Sequence, residues 1–158
     1  MRRTFRRRRK EAKTDYQLRL GLLKSGKPRI VVRKTNRYII VQLVHSEIAQ
    51  DKVIINLSSK DLLQHGWPKD KSGSLKSRPA AYLTGFLMGK KVPADNKEAI
   101  LDIGMQRNVK KSRIYSVLKG LVDAGMKLSY NEEIVPTEEE LTKKEDLLNL
   151  VKKIKEKL

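Results

Sequence analysis

The first chemistry visible in the chain is that of arginine. Arg6, Arg7, Arg8 and Arg9 stand side by side, flanked by Arg2, Arg3, Lys10 and Lys13. A guanidinium presents a planar fork of N–H donors that meets two phosphate oxygens at once. The bases then continue through Arg19, Lys24, Lys27, Arg29, Arg33, Lys34 and Arg37. From Met1 to Arg37 there are fifteen bases and two acids, a balance of +13 within a whole-chain charge of +18. Such a field needs a polyanion to neutralise it, and folding alone does not explain it. A detachable basic tag or targeting signal would stop where patterned segments begin, whereas these charges run on into them.

Other chemistries find little support. The chain has no cysteine, which excludes disulfides and thiolate metal sites. His45 and His65, its two histidines, lie too far apart in sequence to suggest a zinc site. A two-metal nuclease needs clustered carboxylates, yet the segment Arg29 to Lys34 carries no acid, and Asp102 has no evident acidic partner. Asp102 is therefore expected to serve in structural hydrogen bonding. We expect no catalytic residue, no metal, no cofactor and no small-molecule substrate. No run of eighteen apolar residues occurs, so no membrane-spanning helix is expected. The N-terminus lacks the apolar stretch of a secretory signal. The basic arm also lacks the apolar face of a membrane-surface helix. Thirty-six bases against eighteen acids favour nucleic acid as the partner.

The elements that must position these cations follow from pattern. Residues 1–13 show no periodicity and are expected to stay extended by self-repulsion. Phe5 is their one large apolar side chain. It is open to three roles: stacking on a base, wedging into an RNA groove, or touching the domain. Thr14 and Gln17 read as a capping box for a helix from about Asp15 to Ser25, with Arg19 and Lys24 on its wet side. Gly26 and Pro28 end that helix, and Lys24-Ser25-Gly26-Lys27 makes a basic corner with bare backbone suited to a phosphate.

Arg29 to Lys34 reads as a strand, Thr35-Asn36 as a turn, and Tyr38 to His45 as a second strand apolar on both faces. Tyr38 is open to stacking or to core packing. Gln50-Asp51-Lys52 reads as a link and Val53 to Leu57 as a third strand, completing an antiparallel meander. A short helix from Ser58 or Ser59 to Gln64 precedes a loop from Trp67 to Ser77. That loop carries Lys69, Lys71 and Lys76, with Arg78 just beyond, as a weaker basic patch. Pro79 opens a helix in which Ala81, Gly85 and Gly89 form a smooth ridge suited to lying close to a sheet. Ala99 to Gly104 reads as a buried strand reached by a parallel crossover. A helix capped by Ser112 follows, with Ile114, Val117, Leu118, Leu121 and Val122 on one stripe. Lys127 to Val135 suggests a short last strand. Thr137 and Glu140 cap a single terminal helix with the stripe Leu147, Leu150, Val151, Ile154 and Leu158.

Two blocks carry a resemblance. The first is Arg6-Arg7-Arg8-Arg9, Lys13-Thr14-Asp15-Tyr16, Arg19-Leu20 and Leu22-Leu23-Lys24-Ser25-Gly26-Lys27-Pro28-Arg29. The second is Pro79-Ala80-Ala81-Tyr82-Leu83-Thr84-Gly85, Leu101-Asp102-Ile103-Gly104 and Asp123-Ala124-Gly125. Together they resemble the archaeal branch of the large-subunit ribosomal protein eighteen family, whose eukaryotic relative is called protein five. The resemblance implies a cytoplasmic, ribosome-bound protein of the central protuberance. Its implied partners are 5S rRNA, large-subunit rRNA and neighbouring ribosomal proteins. It also implies an α/β, ribonuclease H-like mixed sheet: an antiparallel three-strand meander, then helix, parallel strand and helix, with a basic N-terminal extension and a C-terminal helix. The expected organisation is a basic arm (1–13), an α/β 5S rRNA-binding domain (14–135) and a C-terminal helical extension (136–158). The expected RNA contacts are Arg2, Arg3, Arg6, Arg7, Arg8, Arg9, Lys10, Lys13, Arg19, Lys24, Ser25, Gly26, Lys27, Arg29, Arg33, Lys34, Asn36 and Arg37. The chain departs from the family's pattern in the basic loop Met105 to Lys111 and in a shorter C-terminal region. A standalone RNA-binding chaperone and a ribonuclease H-like nuclease are the competing readings.

Overall fold

The computed structural model describes residues 4–48, 50–142 and 145–157. Arg2, Arg3 and Leu158 fall outside them. One mixed sheet is formed by β1 (Arg29–Lys34), β2 (Ile39–Glu47), β3 (Gln50–Ser58) and β4 (Ile100–Asp102), in the order β3-β2-β1-β4. The first three strands are an antiparallel meander, and β4 lies parallel to β1. The crossover to β4 runs through α3 (Arg78–Lys91), and α4 (Arg113–Asp123) follows. The predicted mixed α/β order is the observed one.

Alternation along the strands divides the sheet into two unlike faces. Ile30, Val32, Ile39, Val41 and Leu43 are buried on the face that meets α3 and α4. The opposite face carries Arg29, Val31 and Arg33 of β1, with Asp102 of β4 in register beside Val31. Val44 is buried on that face, but Ile40 and Gln42 are only half-buried, so β2, although apolar on both faces, is not fully covered on both. Tyr38 packs against the core.

Several expectations are corrected. Gln50, Asp51 and Lys52 belong to β3, because they pair with Glu47, Ser46 and His45 across a tight hairpin. The reversal is made at Ile48, whose φ is 47° and whose side chain is fully exposed. Lys127 makes one isolated parallel bridge to Glu98, and Glu132–Ile134 forms a 3-10 turn capped by Asn131, in place of a last strand. The glycine ridge of α3 faces α4 and not the sheet. A Cβ on Gly85 would collide with the Val117 carbonyl oxygen, and one on Gly120 with the Tyr82 carbonyl oxygen. The two helix backbones thus touch directly. The terminal segment is two helices, α5 (Glu138–Leu141) and α6 (Glu145–Lys157), since Thr142 turns extended after the Thr137–Glu140 capping box. Val151 and Ile154 of α6 are buried, and Lys155 Nζ lies 5.8 Å from the Tyr82 ring and 5.5 Å from Phe86. The C-terminal stripe therefore docks on α3.

Candidate nucleic-acid interface

Of the N-terminal cations, Arg7–Lys10, Arg19 and Lys24 sit on two short helices. Residues Arg7–Lys10 make one helical turn, α1, where an extended arm was expected. The turn closes through N–H bonds from Arg9 and Lys10 to the Arg6 carbonyl, and Glu11 offsets its charge by pairing with Lys13 at 2.8 Å. The helix α2 (Tyr16–Lys24) follows. Its N-cap is Asp15 and not Thr14: the carboxylate accepts from the N–H groups of Gln17 and Leu18 at 2.9 and 3.1 Å. A carboxylate also complements the helix dipole, which a hydroxyl does not. Thr14 Oγ1 is engaged instead by Arg8 Nε at 2.8 Å.

None of the nine residues of α2 is buried. What ties the helix to the sheet is charge. Arg19 Nη1 donates to Asp51 Oδ2 at 2.9 Å, so Arg19 points to the domain and not to the wet side. Asp51 Oδ1 also accepts from Arg29 Nη2 at 2.6 Å and from the Ser46 hydroxyl at 2.6 Å. Arg29 continues the chain by donating from Nη1 to Asp102 Oδ2 at 2.9 Å. Asp102 Oδ1 then accepts from Arg33 Nη2 at 3.1 Å and from the Gly104 N–H at 2.8 Å. Burial alone would push the Asp51 carboxyl up, but hydrogen bonds from Arg19, Ser46 and Arg29 outweigh it and lower its pKa to about 2.

This network sorts the expected contacts. Arg29 is only 2% exposed and is spent on two carboxylates, which corrects its place in the expected surface. Arg33 is half-exposed, with its fork held by Asp102 and by the carbonyls of Val32 and Asp102. Lys27 is exposed but paired with Glu98, whose carboxyl that ammonium holds below its usual range. Arg6, Arg7, Arg8, Arg9, Lys10, Lys13, Lys24, Ser25 and Gly26 all reach solvent. So do Lys34, Asn36 and Arg37 at the tip of the first hairpin. Gly26 takes φ 65° with open space where a Cβ would stand, and its N–H donates to the Leu23 carbonyl at 3.2 Å. Among the expected contacts, the exposed cations thus form two groups, the arm with α2 and the hairpin tip.

Sequence reasoning overlooked Ser46 and Asp51 as the partners of Arg29. The signal was present: an arginine opening an otherwise apolar strand has to find buried anions. It also overlooked a groove between the arm and α2, lined by Phe5, Arg6, Arg9, Tyr16, Leu20 and Leu23. The Arg6 guanidinium lies 4.7 Å from the Tyr16 ring centroid and that of Arg9 lies 5.4 Å from Phe5.

Among the described residues, no group of three or more His, Cys, Asp or Glu side chains could hold a metal ion. No described helix is long and apolar enough to cross a membrane.

Comparison with known proteins points one way. A family profile described as ribosomal large-subunit proteins 60S L5 and 50S L18 matches residues 2–98. The large ribosomal subunit protein uL18 of Korarchaeum cryptofilum (strain OPF8) is 47% identical over 151 residues, 95% of this chain and 75% of that protein. Its counterpart in Methanoculleus marisnigri is 51% identical over 136 residues, 85% of this chain and 75% of that protein. The Methanoregula boonei protein is 44% identical over 136 residues, 85% of this chain and 76% of its own length.

Proposed function

The chain belongs to the family of ribosomal large-subunit proteins 60S L5 and 50S L18, and from that premise we propose that it is a constituent of the large ribosomal subunit that binds 5S rRNA. On this reading it helps attach 5S rRNA to large-subunit rRNA in the central protuberance, beside neighbouring ribosomal proteins, in the cytoplasm. The role is structural and not catalytic, because Asp102 gives its carboxylate to Arg29 and Arg33. A strand order of three antiparallel strands followed by one parallel strand after a helix supports the ribonuclease H-like assignment. We divide the chain into the arm (1–13), the α/β RNA-binding domain (14–135) and the C-terminal extension (136–158).

The observation that carries the proposal is the exposure of Arg6 to Lys10 as an unbroken basic run, with the Arg7 side chain 86% exposed. Phosphate contacts fix orientation without reading bases, so the arm supplies affinity and the folded domain supplies selectivity. Duplex RNA hides its bases in a deep, narrow major groove and is met through phosphates and 2′-hydroxyls. The arm, Lys24, the bare corner at Ser25-Gly26, and the tip Lys34, Asn36 and Arg37 suit that task. Deleting residues 1–10 should weaken 5S rRNA binding and flatten its salt dependence. Each lost phosphate contact should lower the log–log slope by about 0.7 to 0.9. An unchanged slope in a filter-binding titration would remove the arm from the interface.

A further inference from the structure

The sheet ends in an edge that lacks most of the usual protections. β3 is its terminal strand and runs nine residues, Gln50–Ser58. Over residues 50–56 every side chain is exposed except that of Ile55, which is half-buried. The outward backbone N–H and C=O groups of such a strand form a row that a further strand can complete. Proteins blunt edges of this kind with short strands, prolines, or lysines along the row. Here the run Val53-Ile54-Ile55-Asn56-Leu57-Ser58-Ser59 holds no charge, no proline and no glycine, in a chain of which 34% is charged. That composition pairs readily with other strands. Its one irregularity is a register shift against β2, which passes from Leu43↔Ile55 to Val44↔Val53 and leaves Ile54 without a partner there.

Apolar surface accompanies the free row. Val53 is 48% exposed, Ile54 45%, and Ile48 at the hairpin tip 100%. Charge marks the two ends. Lys52 precedes the uncharged run and Lys60 follows it, both exposed. Asp51 is taken by Arg19 and Arg29, and Glu47, one strand further in, faces His45. An occupant therefore meets uncharged backbone flanked by two ammonium groups. A polyanion gains nothing from the uncharged middle. A second copy is opposed by charge. Each chain carries +18, and pairing two β3 strands antiparallel about Asn56 would set Lys52 of one copy opposite Lys60 of its mate.

We propose that the edge of β3 receives an extended segment of another protein, which adds to the sheet as a fifth strand and has an uncharged, β-branched centre with an acidic residue at each end. Main-chain hydrogen bonds along residues 53–56 supply the affinity, and Lys52 and Lys60 select the segment by its ends. This goes beyond the RNA-binding reading and does not depend on it, since β3 contributes none of the expected RNA contacts.

Three blocked nine-residue peptides serve as probes. One alternates threonine and valine between glutamate ends, and one has the same centre between lysine ends. The third has glutamate ends and a proline at its centre, which cannot complete the row. Each is titrated to millimolar concentration into the full chain without RNA, and amide hydrogen exchange is read residue by residue. The glutamate-ended peptide should slow exchange at the outward amides of β3 and leave α4 unchanged, and the proline peptide should not bind. Ile54→Lys puts a charge in the row and should abolish binding without lowering the melting temperature, because Ile54 is already 45% exposed. Val53→Lys makes the same test if Ile54→Lys does not fold. Lys52→Glu and Lys60→Glu should each weaken the glutamate-ended peptide by about 1.5- to 5-fold, and the double variant should prefer the lysine-ended one. The proposal is overturned by no binding of the glutamate-ended peptide, by equal binding of the proline peptide, or by binding that survives the charge placed in the row. Equal affinity for glutamate and lysine ends would overturn the selection by charge. A dimer of the free chain in sedimentation equilibrium that Ile54→Lys dissolves would assign the edge to a second copy. Slowed exchange at β3 on adding a short RNA duplex would assign it to nucleic acid, and either result overturns the proposal.

Discussion

The contact between α3 and α4 and the contact between α2 and the sheet solve the same problem by opposite means. Every residue of α3 from Pro79 to Gly89 is buried, whereas α2 buries none. The first contact is made by apolar side chains and by backbone meeting backbone at Gly85 and Gly120. The second runs through ion pairs, from Arg19 to Asp51 to Arg29 to Asp102. Packed apolar surface carries no charge for salt to screen or for moderate pH to titrate. Charge pairs near the surface respond to both. The molecule thus keeps a fixed scaffold beneath a helix whose attachment answers to its ionic surroundings. That is the arrangement expected where a polyanion is to be received.

The strongest way to break the comparison is to remove the centre of the charge network. Asp102→Ala takes one of two carboxylates from Arg29, a guanidinium that is 2% exposed, and also takes the carboxylate from Arg33. Stripping a partner from a buried charge costs about 3–5 kcal/mol. Urea unfolding should register a loss of that size. A loss under about 1 kcal/mol would mean that the ion pairs decorate a contact held by something else.

The packed region is tested by adding one methyl group. Gly120→Ala would drive a Cβ into the Tyr82 carbonyl oxygen and to within 2.7 Å of the Phe86 nitrogen. Overpacking of this kind costs about 1–3 kcal/mol, and about 2–4 °C of melting temperature per kcal/mol for a chain of this size. Gly21→Ala in α2 is the matched control, since nothing lies within 4 Å of its Cβ position. It should instead gain about 0.5–1 kcal/mol of helix propensity. Opposite signs in a thermal melt would confirm that one helix is packed and the other is not. A destabilising Gly21→Ala would contradict the exposed placement of α2.

How much of this was legible in the sequence depended on the kind of force at work. Hydrophobic periodicity disclosed α4, because a period of 3.6 is written in consecutive residues, while β1, β2 and β4 showed as short apolar runs and α3, buried all round, showed through Pro79 and its small-residue ridge. The parallel partner of β1 followed from the helix between them. What stayed hidden was pairing between residues far apart in sequence. Asp51 read as part of a link, although it is the anion that Arg19 and Arg29 share. The ridge of Gly85 and Gly89 announced a close approach but not its partner, and that partner proved to be α4. The arm's charges predicted repulsion, yet Glu11, Thr14 and Tyr16 supply enough local partners to close a helical turn. Among the expected RNA contacts, type alone could not separate Arg29 from Arg7. One guanidinium is spent inside the fold and the other is presented outside it.

The smallest effect, and the one that most sharpens the comparison, lies in the acid range. Asp51 has its pKa depressed from 3.8 to about 2 in the folded chain. A carboxyl depressed on folding adds stability that is fully present above its unfolded pKa and is lost as pH falls through its folded value. The window is therefore from about pH 4 down to about pH 2. The full shift overstates the gain, because the Asp51 side chain is 33% exposed and solvent screens it. A contribution of about 1 kcal/mol is the fitting scale. Asp51→Asn keeps the shape of the side chain but removes the charge. Above pH 5 the wild type should exceed this variant by about that amount, and the two should converge as pH falls toward 2. Native-state hydrogen exchange locates the effect: amides of α2, at Tyr16–Lys24, should lose protection in Asp51→Asn, while those of α4, at Arg113–Asp123, should not. Equal loss in both helices would mean that Asp51 supports the whole fold, and that the division between a packed scaffold and a charge-held helix does not exist. Loss in α2 alone fixes Asp51, a residue on the far strand of the hairpin, as the post to which that helix is tied.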